Sequence, residues 1–408
     1  MGHQAPPLDK RICSDDDITE VGPAEFFAGR FPALAGSHGT LVAAAIEQLR
    51  PRPLTIECGD AIWSIVLAGR SVEAVAGAVD GAVIVTFTPD EFSAWAQNQR
   101  SLNSFLVTSQ GWYRDGDERD ISIWDSLVLT LLYSWPAVGA VELLDRDGAP
   151  LDLDRCFSPD DDPAEIAHFL REAGFLHLRG WTDAAAMDAI SAEMDRERPG
   201  YVEGDGRSWW AAVEGGERVC VRMQEWAERS PATAALLASP GWERLRSVLA
   251  ADDRFEAEPV GGRKIEALFK PLHVTSGPSD LTFHRDCHLG RHAYGCSGVT
   301  VGVSVTASGP HNGQLRVVPG SHRVAMPVQV AMDEPFMAIR PLTTEVGDLT
   351  VHLSCTLHEA TAPQVAERRV LYTGFGLERR PSRSDGDAVN AAIRESVTDI
   401  LRDRAASA

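Results

Sequence analysis

The sequence is poor in cysteine and has no closely spaced cysteine pair. Its seven cysteines are an odd number, and none of them forms a CxxC motif. A disulfide framework needs an even, patterned set, so we interpret these side chains as reduced thiols. The first residues, MGHQAPPLDKRIC, also lack the basic and then apolar pattern of a secretory signal. Together these absences predict a cytoplasmic protein.

Long apolar runs and an excess of basic charge are missing as well. The longest apolar candidate, residues 126–141, is shorter than the roughly 18 residues needed to cross a bilayer and contains Pro136. Acidic residues number 59 against 38 basic ones, which gives a formal net charge of −21. Such a charge repels a phosphate backbone or an anionic membrane surface. We therefore expect no nucleic-acid partner and no transmembrane segment.

The length of 408 residues favours more than one globular core. Clusters of proline, glycine and acidic residues indicate where the boundaries fall. The predicted parts are an N-terminal arm (1–35), a smaller α+β domain (36–150), an acidic linker (151–162) and a larger C-terminal domain (163–408).

The smaller domain has the pattern of a helix, several strands and a second helix. Residues 39–50 predict a helix that stops before Pro51, β-type runs follow, and Thr88 is the expected N-cap of the next helix. This order, with DGAVIVTFTPDEFSAWAQ, resembles the sterol carrier protein type two family. That resemblance implies a sheet and helices around an apolar tunnel for lipids or acyl chains. The alternative is a domain for dimerisation or support, because tryptophans could fill the tunnel: Trp63, Trp95, Trp112, Trp124 and Trp135.

The larger domain begins with helical patterns and continues with short strands. Asp162 is the expected N-cap of a helix that ends at Gly174, and Thr182 of the helix after it. Beyond residue 260, short β-type runs alternate with Gly, Pro, Asn and Asp turns, which predicts a barrel or sandwich.

One of these runs, LTFHRDCHL, contains a candidate metal site. In a strand, residues two apart share a face, so His284 and Asp286 point together and Cys287 points away. With His358 from a later strand they form a set of two histidines and one carboxylate, which suits non-heme Fe(II) and leaves three coordination positions open. His288, on the same face, is a polar lining candidate. A lone histidine in a strand is more often a structural side chain, so the prediction rests on the three residues together.

Arg369 follows His358 by eleven residues and is a candidate for binding a dicarboxylate. Alternation groups Arg369 with Leu371 and Phe375, so we expect Arg369 to point inward and Arg368 to point to solvent.

These residues, with NGQLRVVPGSH between them, resemble the phytanoyl-CoA dioxygenase family over about residues 160–380. The resemblance implies a double-stranded β-helix of the jelly-roll or cupin-like type, with flanking helices. It also implies Fe(II) held by His284, Asp286 and His358, and 2-oxoglutarate bound by Arg369. Where the family often has Ser two residues after the distal histidine, this chain has Ala360, with Thr361 next. Thr361 and Lys270 are further candidates for co-substrate contact.

The resemblance implies an oxidoreductase, namely an Fe(II)- and 2-oxoglutarate-dependent dioxygenase that uses O2. Such an enzyme hydroxylates or otherwise oxidises a C–H bond and releases succinate and CO2 as co-products. Asp286 occupies the position that halide takes in related halogenases. The sterol-carrier resemblance adds a small substrate that is apolar or acyl-linked, as in secondary metabolism or lipid modification. Two alternatives remain open at this point: a non-redox cupin-like isomerase or lyase, and a lipid-binding carrier with an inactive oxygenase domain.

Overall fold

The computed structural model describes residues 14–108, 112–139, 141–251, 259–262, 264–279, 282–289, 298–328 and 338–378. The α-helices in these ranges are α1 Pro23–Glu25, α2 Phe31–Ser37, α3 Gly39–Leu49, α4 Pro89–Ala96, α5 Leu102–Thr108, α6 Glu118–Tyr133, α7 Pro163–Ala173, α8 Ala184–Glu197, α9 Pro231–Leu237 and α10 Pro240–Ala250. A π-helical stretch, Phe26–Arg30, joins α1 to α2. Over the same ranges, no helix has both the length and the apolar character needed to cross a membrane.

The strands in these ranges are β1 Leu54–Cys58, β2 Ala61–Ala68, β3 Ser71–Ala76, β4 Val83–Phe87, β5 Tyr113–Arg114, β6 Phe175–Leu178, β7 Ser208–Val213, β8 Arg218–Met223, β9 Val260–Gly261, β10 Glu266–Lys270, β11 Val274–Ser276, β12 Val299–Ser304, β13 Leu315–Val317, β14 Arg340–Leu342, β15 Leu349–Leu353, β16 His358–Ala360 and β17 Arg368–Gly376.

The N-terminal part is a five-stranded sheet, in the order β3, β2, β1, β4 and β5, packed with helices α1 to α6. β1 and β4 are parallel, and the other neighbours in this sheet are antiparallel. Aromatic rings from strands and helices fill the interior, including Phe87 on β4 and Trp95 on α4, whose centroids lie 5.8 Å apart. The expected arm is not separate, because Phe26, Phe27 and Phe31 are buried in this same core. Their burial was not evident from a segment rich in Gly, Pro and acidic residues.

Helix starts follow the capping residues closely. Thr88 accepts a hydrogen bond from the Glu91 backbone N–H, and the Glu91 side chain accepts one from the Thr88 N–H. This reciprocal capping box fixes the start of α4. The start of α8 differs from the expectation: Asp183, not Thr182, is its N-cap, since the Thr182 hydroxyl donates instead to the carbonyl of Gly347.

The C-terminal part contains a nine-stranded, antiparallel sheet and a three-stranded sheet in the order β14, β13 and β16. The main path of the larger sheet runs β11, β7, β8, β10, β17, β12, β15 and β6, with β9 paired to β17. Helices α7 to α10 and one face of this sheet share a large apolar core. This is the cupin-like double-stranded β-helix with flanking helices that the sequence predicted.

Two segments differ from the sequence expectations. The predicted linker is packed, because Phe157 is buried in the C-terminal core and its N–H donates to the carbonyl of His177. The described part of LTFHRDCHL, residues 282–289, is not a strand: His284 makes an isolated bridge, and Asp286–Leu289 is a short 3-10 helix. The alternation of side chains along a strand therefore does not explain why His284 and Asp286 lie together.

Helix α6 of the N-terminal part contacts the C-terminal part directly. Leu129 packs with Cys287, Ala325 and Cys355 in one buried apolar cluster. The N–H of Ala325 donates to the carbonyl of Pro136, just after α6. The helix thus lies behind the turn that carries Asp286.

Candidate metal centre

The structure brings His284, Asp286 and His358 together. Nε2 of His284 lies 3.5 Å from Oδ1 of Asp286, and Nε2 of His358 lies 3.5 Å from the same oxygen. All three candidate ligand atoms fall within 4.8 Å of one another. The structure thus brings together the three side chains that the sequence predicted, although His358 lies 72 residues after Asp286 and 74 residues after His284.

Backbone pairing fixes the two histidines. The N–H of His284 donates to the carbonyl of His358 at 2.9 Å, and the N–H of His358 returns the bond at 3.0 Å. Their rings consequently stand side by side, with centroids 4.4 Å apart. The 3-10 turn that starts at Asp286 then curls the chain so that its carboxylate reaches both rings.

Both imidazoles are held in the tautomer that a metal requires. Nδ1 of His284 lies 2.8 Å from the carbonyl of Thr282, and Nδ1 of His358 lies 2.9 Å from the carbonyl of Thr356. A carbonyl only accepts, so each Nδ1 carries the proton and donates it. In the neutral rings, Nε2 then presents a free lone pair toward Asp286.

The charge states agree with this assignment. Burial opposes ionisation of Asp286, but the imidazoles of His358, His284 and His352 outweigh it and hold the pKa of this carboxyl well below its usual value. Burial, reinforced by the neighbouring imidazoles, holds the pKa of His358 well below its usual value despite Asp286. An ionised Asp286 and a neutral His358 are the charge states that ligands of a divalent metal need.

Arg285, between the two ligands in sequence, anchors the turn from behind. Its fully buried guanidinium donates to the carbonyls of Cys355 at 3.0 Å, Met326 at 2.9 Å and Ser321 at 3.3 Å. These bonds tie the turn to the segment that precedes His358. Sequence reasoning missed this role, since a charged residue beside a motif is usually solvated.

Asp286 has two further partners. Its Oδ2 accepts a hydrogen bond from the hydroxyl of Thr300 at 2.9 Å and lies 3.4 Å from Nε2 of His352. His352 is buried, and its ring centroid is 4.0 Å from that of His358. From sequence, His352 was indistinguishable from a structural histidine, because nothing placed its strand beside the turn.

A cavity of about 390 Å³ opens onto the three side chains. Its lining includes charged groups from β10 and β17 and the side chains of Trp209, Val221 and Tyr372. A volume of this size suits a small molecule.

Of the two neighbouring arginines, Arg368 lies at the cavity, and the expected orientation of Arg369 is wrong. Arg368 is 1% exposed and lines the cavity, whereas Arg369 points to the outer face, where it pairs with Asp195 at 2.7 Å and with Glu367. The alternation itself was correct, because Leu371 is in the apolar core between sheet and helices. That core lies outside the barrel, so the apolar face of β17 is the wrong face for the site.

Arg368 is suited to an anionic ligand. Its Nη1 donates to the carbonyl of Gly313 at 2.9 Å, while its buried Nε has no hydrogen-bond partner in the described part of the chain. A buried N–H without a partner is costly, and a carboxylate would satisfy it. Lys270 lies directly opposite Arg368 in the β10 and β17 register, lines the same cavity, and donates to the carbonyls of Ser279 and Ala360.

The remaining candidates contribute less. Thr361 is not among the cavity-lining residues; its N–H donates to the carbonyl of Gln314. Ala360, which shares the strand face of His358, does line the cavity. The side chain of His288 lies outside the described part of the structure.

A family comparison identifies the C-terminal part. The family described as Phytanoyl-CoA dioxygenase (PhyH) matches residues 170–370. Residues 170–370 match the PhyH family, as the resemblance in the sequence predicted. This match supports the fold that the sequence predicted, and the donor set of two imidazoles and one carboxylate fits Fe(II). The match does not extend to residues 36–150, where the sterol-carrier resemblance stays a prediction.

The chain is also similar to solved structures of low identity. AviO1 from Streptomyces viridochromogenes Tue57 is 23% identical, with 54% of this chain and 97% of AviO1 covered and a TM-score of 0.42. SnoN, a non-heme alpha-ketoglutarate-dependent epimerase from nogalamycin biosynthesis, is 21% identical, with 55% and 87% covered and a TM-score of 0.43. EctD from S. alaskensis, crystallised with 2-oxoglutarate and 5-hydroxyectoine, is 19% identical, with 61% and 94% covered and a TM-score of 0.43. A search of curated proteins finds no match.

Proposed function

We propose that this protein is an Fe(II)- and 2-oxoglutarate-dependent dioxygenase that hydroxylates an unactivated C–H bond of a small molecule, with succinate and CO2 as co-products. The observation that carries the proposal is the convergence of Nε2 of His284, Oδ1 of Asp286 and Nε2 of His358 at one cavity. The match of residues 170–370 to the PhyH family supports the same chemistry.

Each residue has a distinct task in this proposal. His284 and His358 donate imidazole lone pairs, and Asp286 supplies the negative charge that a divalent cation needs. Iron bound there supplies dioxygen activation coupled to decarboxylation of 2-oxoglutarate. The protein supplies orientation and a dry site, which is the usual division of labour between an enzyme and its cofactor.

Arg368, rather than Arg369, binds the distal carboxylate of 2-oxoglutarate. Its buried guanidinium presents a planar fork to the cavity, and a fork of this kind binds a carboxylate through two hydrogen bonds. Lys270 adds a second positive charge on the adjacent strand. Two cations beside a metal site match a ligand with a carboxylate at one end and a 2-oxo acid at the other.

The substrate lies against the apolar part of the cavity lining. Trp209 on β7, Val221 on β8 and Tyr372 on β17 provide an apolar wall there, which favours a substrate with an apolar body. An acyl-linked or lipid-like substrate is the finer proposal, and it depends on the resemblance of residues 36–150 to lipid carriers.

The non-redox alternative receives less support from the geometry. Cupin-like isomerases and lyases commonly recruit more than three protein ligands, and His352 is the side chain available for a fourth position. Its Nε2 faces Oδ2 of Asp286, however, and not the space that the three candidate ligand atoms share. Three candidate ligands with the buried guanidinium of Arg368 at the same cavity fit an oxygenase better than an isomerase or lyase.

The deciding experiment is an anaerobic titration. Fe(II) and 2-oxoglutarate added to the metal-free protein are expected to produce a visible charge-transfer band, and admission of air is expected to yield succinate. Asp286→Ala and His358→Ala should abolish both signals. His311→Ala is the matched control, since His311 is exposed and pairs with Gln364 outside the cavity. A wild-type mixture that stays colourless and forms no succinate would refute the proposal.

A further inference from the structure

The two oxygens of Asp286 lie in different surroundings. Oδ1 faces the Nε2 atoms of His284 and His358, each at 3.5 Å. Oδ2 faces away from them, toward the hydroxyl of Thr300 at 2.9 Å and Nε2 of His352 at 3.4 Å. We propose that Thr300 and His352 are a positioning pair that holds Asp286 by Oδ2, so that Oδ1 alone is presented to the metal. This inference rests on the proposed function of the site.

The pair stands on rigid elements. Thr300 on β12 and His352 on β15 are directly opposite each other in the antiparallel register. Both side chains line the cavity, and both strands lie inside the nine-stranded sheet, with β17 and β6 as their outer neighbours. Asp286, by contrast, lies on a short 3-10 turn. A ligand on a turn gains a fixed orientation when partners on strands hold its second oxygen.

The direction of each bond follows from the chemistry of the groups. An ionised carboxylate only accepts hydrogen bonds, so the Thr300 hydroxyl and the His352 Nε2–H both donate to Oδ2. Hydrogen bonds to a charged acceptor are stronger than neutral ones. Both donors therefore compete with any metal for Oδ2 and leave Oδ1 uncontested.

The consequence concerns the number of positions left for the reaction. Two imidazoles and one carboxylate oxygen leave three positions at an octahedral metal. 2-Oxoglutarate takes two of them through its 2-oxo acid end, and one remains for dioxygen. If Asp286 turned so that both of its oxygens bound, that last position would be lost. Thr300 and His352 thus protect the position that the reaction needs.

Cobalt(II) binding tests the pair without reliance on turnover. We expect Thr300→Val and His352→Leu each to weaken Co(II) binding by roughly 10- to 100-fold, the usual range for partners of metal ligands, and to change the absorption spectrum of the bound Co(II). Thr300→Ser and His352→Gln keep a donor and should recover most of the affinity. The double variant Thr300→Val, His352→Leu should lose less than the product of the single losses, because both donors serve one oxygen.

Thr350→Val is the matched control. Thr350 is buried on β15, two residues before His352, and its hydroxyl has no hydrogen-bond partner in the described part of the chain. Its removal should leave Co(II) affinity and spectrum unchanged. Melting temperatures measured without metal separate a positioning role from a structural one, since the positioning role predicts lost affinity without a matching loss of stability.

The outcomes distinguish this inference from the proposed function. If wild type binds Co(II) and Thr300→Val and His352→Leu bind it with wild-type affinity and spectrum, the positioning pair is overturned and the oxygenase proposal stands. If wild type binds no Co(II) and Asp286→Ala changes nothing, both are overturned.

Discussion

The different roles of two neighbouring arginines, Arg368 and Arg369, follow from their surroundings in the fold. Arg368 and Arg369 are chemically identical and adjacent, yet one is buried at the cavity and the other pairs with Asp195 on the outer face of the sheet. β17 is covered on both faces, by the barrel interior and by the helices, so apolar alternation alone does not indicate which face holds the site. The spacing from His358 predicted an arginine at the cavity, but the arginine that lies there is Arg368, one residue before the predicted Arg369.

Substitution of each arginine should separate their roles. Arg368→Ala removes a buried, charge-assisted carboxylate contact and should weaken 2-oxoglutarate binding by about 2 kcal/mol or more, roughly 30-fold. Arg369→Ala should leave that affinity within about threefold and cost at most about 1 kcal/mol of stability, because Asp195 is a largely exposed partner. Titration of 2-oxoglutarate into the Fe(II) protein, followed by its charge-transfer band, measures the first effect. Equal losses in both variants would contradict the assignment.

At the scale of elements, local sequence determined much of the fold. Capping residues located the starts of α4 and α7, and the short runs beyond residue 260 predicted most strands of the barrel. These signals are local, since a cap or an alternating run acts within a few residues. The turn at 286–289 and the partners of Oδ2 depend on contacts between segments far apart in sequence, so no local pattern indicated them.

Gly174 links an element boundary to the site. It ends α7 with a φ of 80°, and a Cβ there would lie 2.3 Å from Nδ1 of His322 and 2.6 Å from Oγ1 of Thr356. The Thr356 hydroxyl also donates to the Gly174 carbonyl, while the Thr356 carbonyl accepts from Nδ1 of His358. A displacement at this boundary is therefore passed to a metal-ligand candidate.

Gly174→Ala should destabilise the protein by about 3 kcal/mol or more, from backbone strain together with the collision. Gly148→Ala is the matched control: its φ is 84°, but a Cβ there meets nothing within 4 Å, so strain alone should cost about 1 to 2 kcal/mol. Urea unfolding of both variants measures the difference. Similar losses of unfolding free energy in the two variants would show that the collision expected at Gly174 does not destabilise the protein.

At the scale of the whole molecule, a buried carboxyl lies close to the contact between the two parts. Asp125 on α6 accepts hydrogen bonds from the N–H groups of Leu102 and Asn103. Burial raises the pKa of Asp125 to about 6, against these bonds and the attraction of Arg285 in the C-terminal part. The folded state thus binds this proton more tightly than the unfolded state, whose aspartate has an ordinary pKa.

The sign of the pH effect follows. The contribution of Asp125 favours the folded state at low pH and is lost as pH rises through about 6, by up to about 3 kcal/mol in total. Asp125→Asn does not ionise, so its free energy of unfolding should fall less than that of wild type between about pH 4.5 and about pH 7. Denaturant unfolding of both proteins at several pH values measures the difference. Parallel pH curves would contradict the raised pKa.

The contact of α6 with Cys287 and Cys355 also limits how the protein can be divided. Asp286 lies on a 3-10 turn, and the next residue of that turn, Cys287, packs against Leu129 of α6. A fragment that began at the acidic segment near residue 151 would carry every metal ligand and yet expose an apolar surface directly behind one of them. Exchange of the N-terminal part for an unrelated domain should therefore destabilise this turn unless the new domain supplies an apolar contact like that of Leu129.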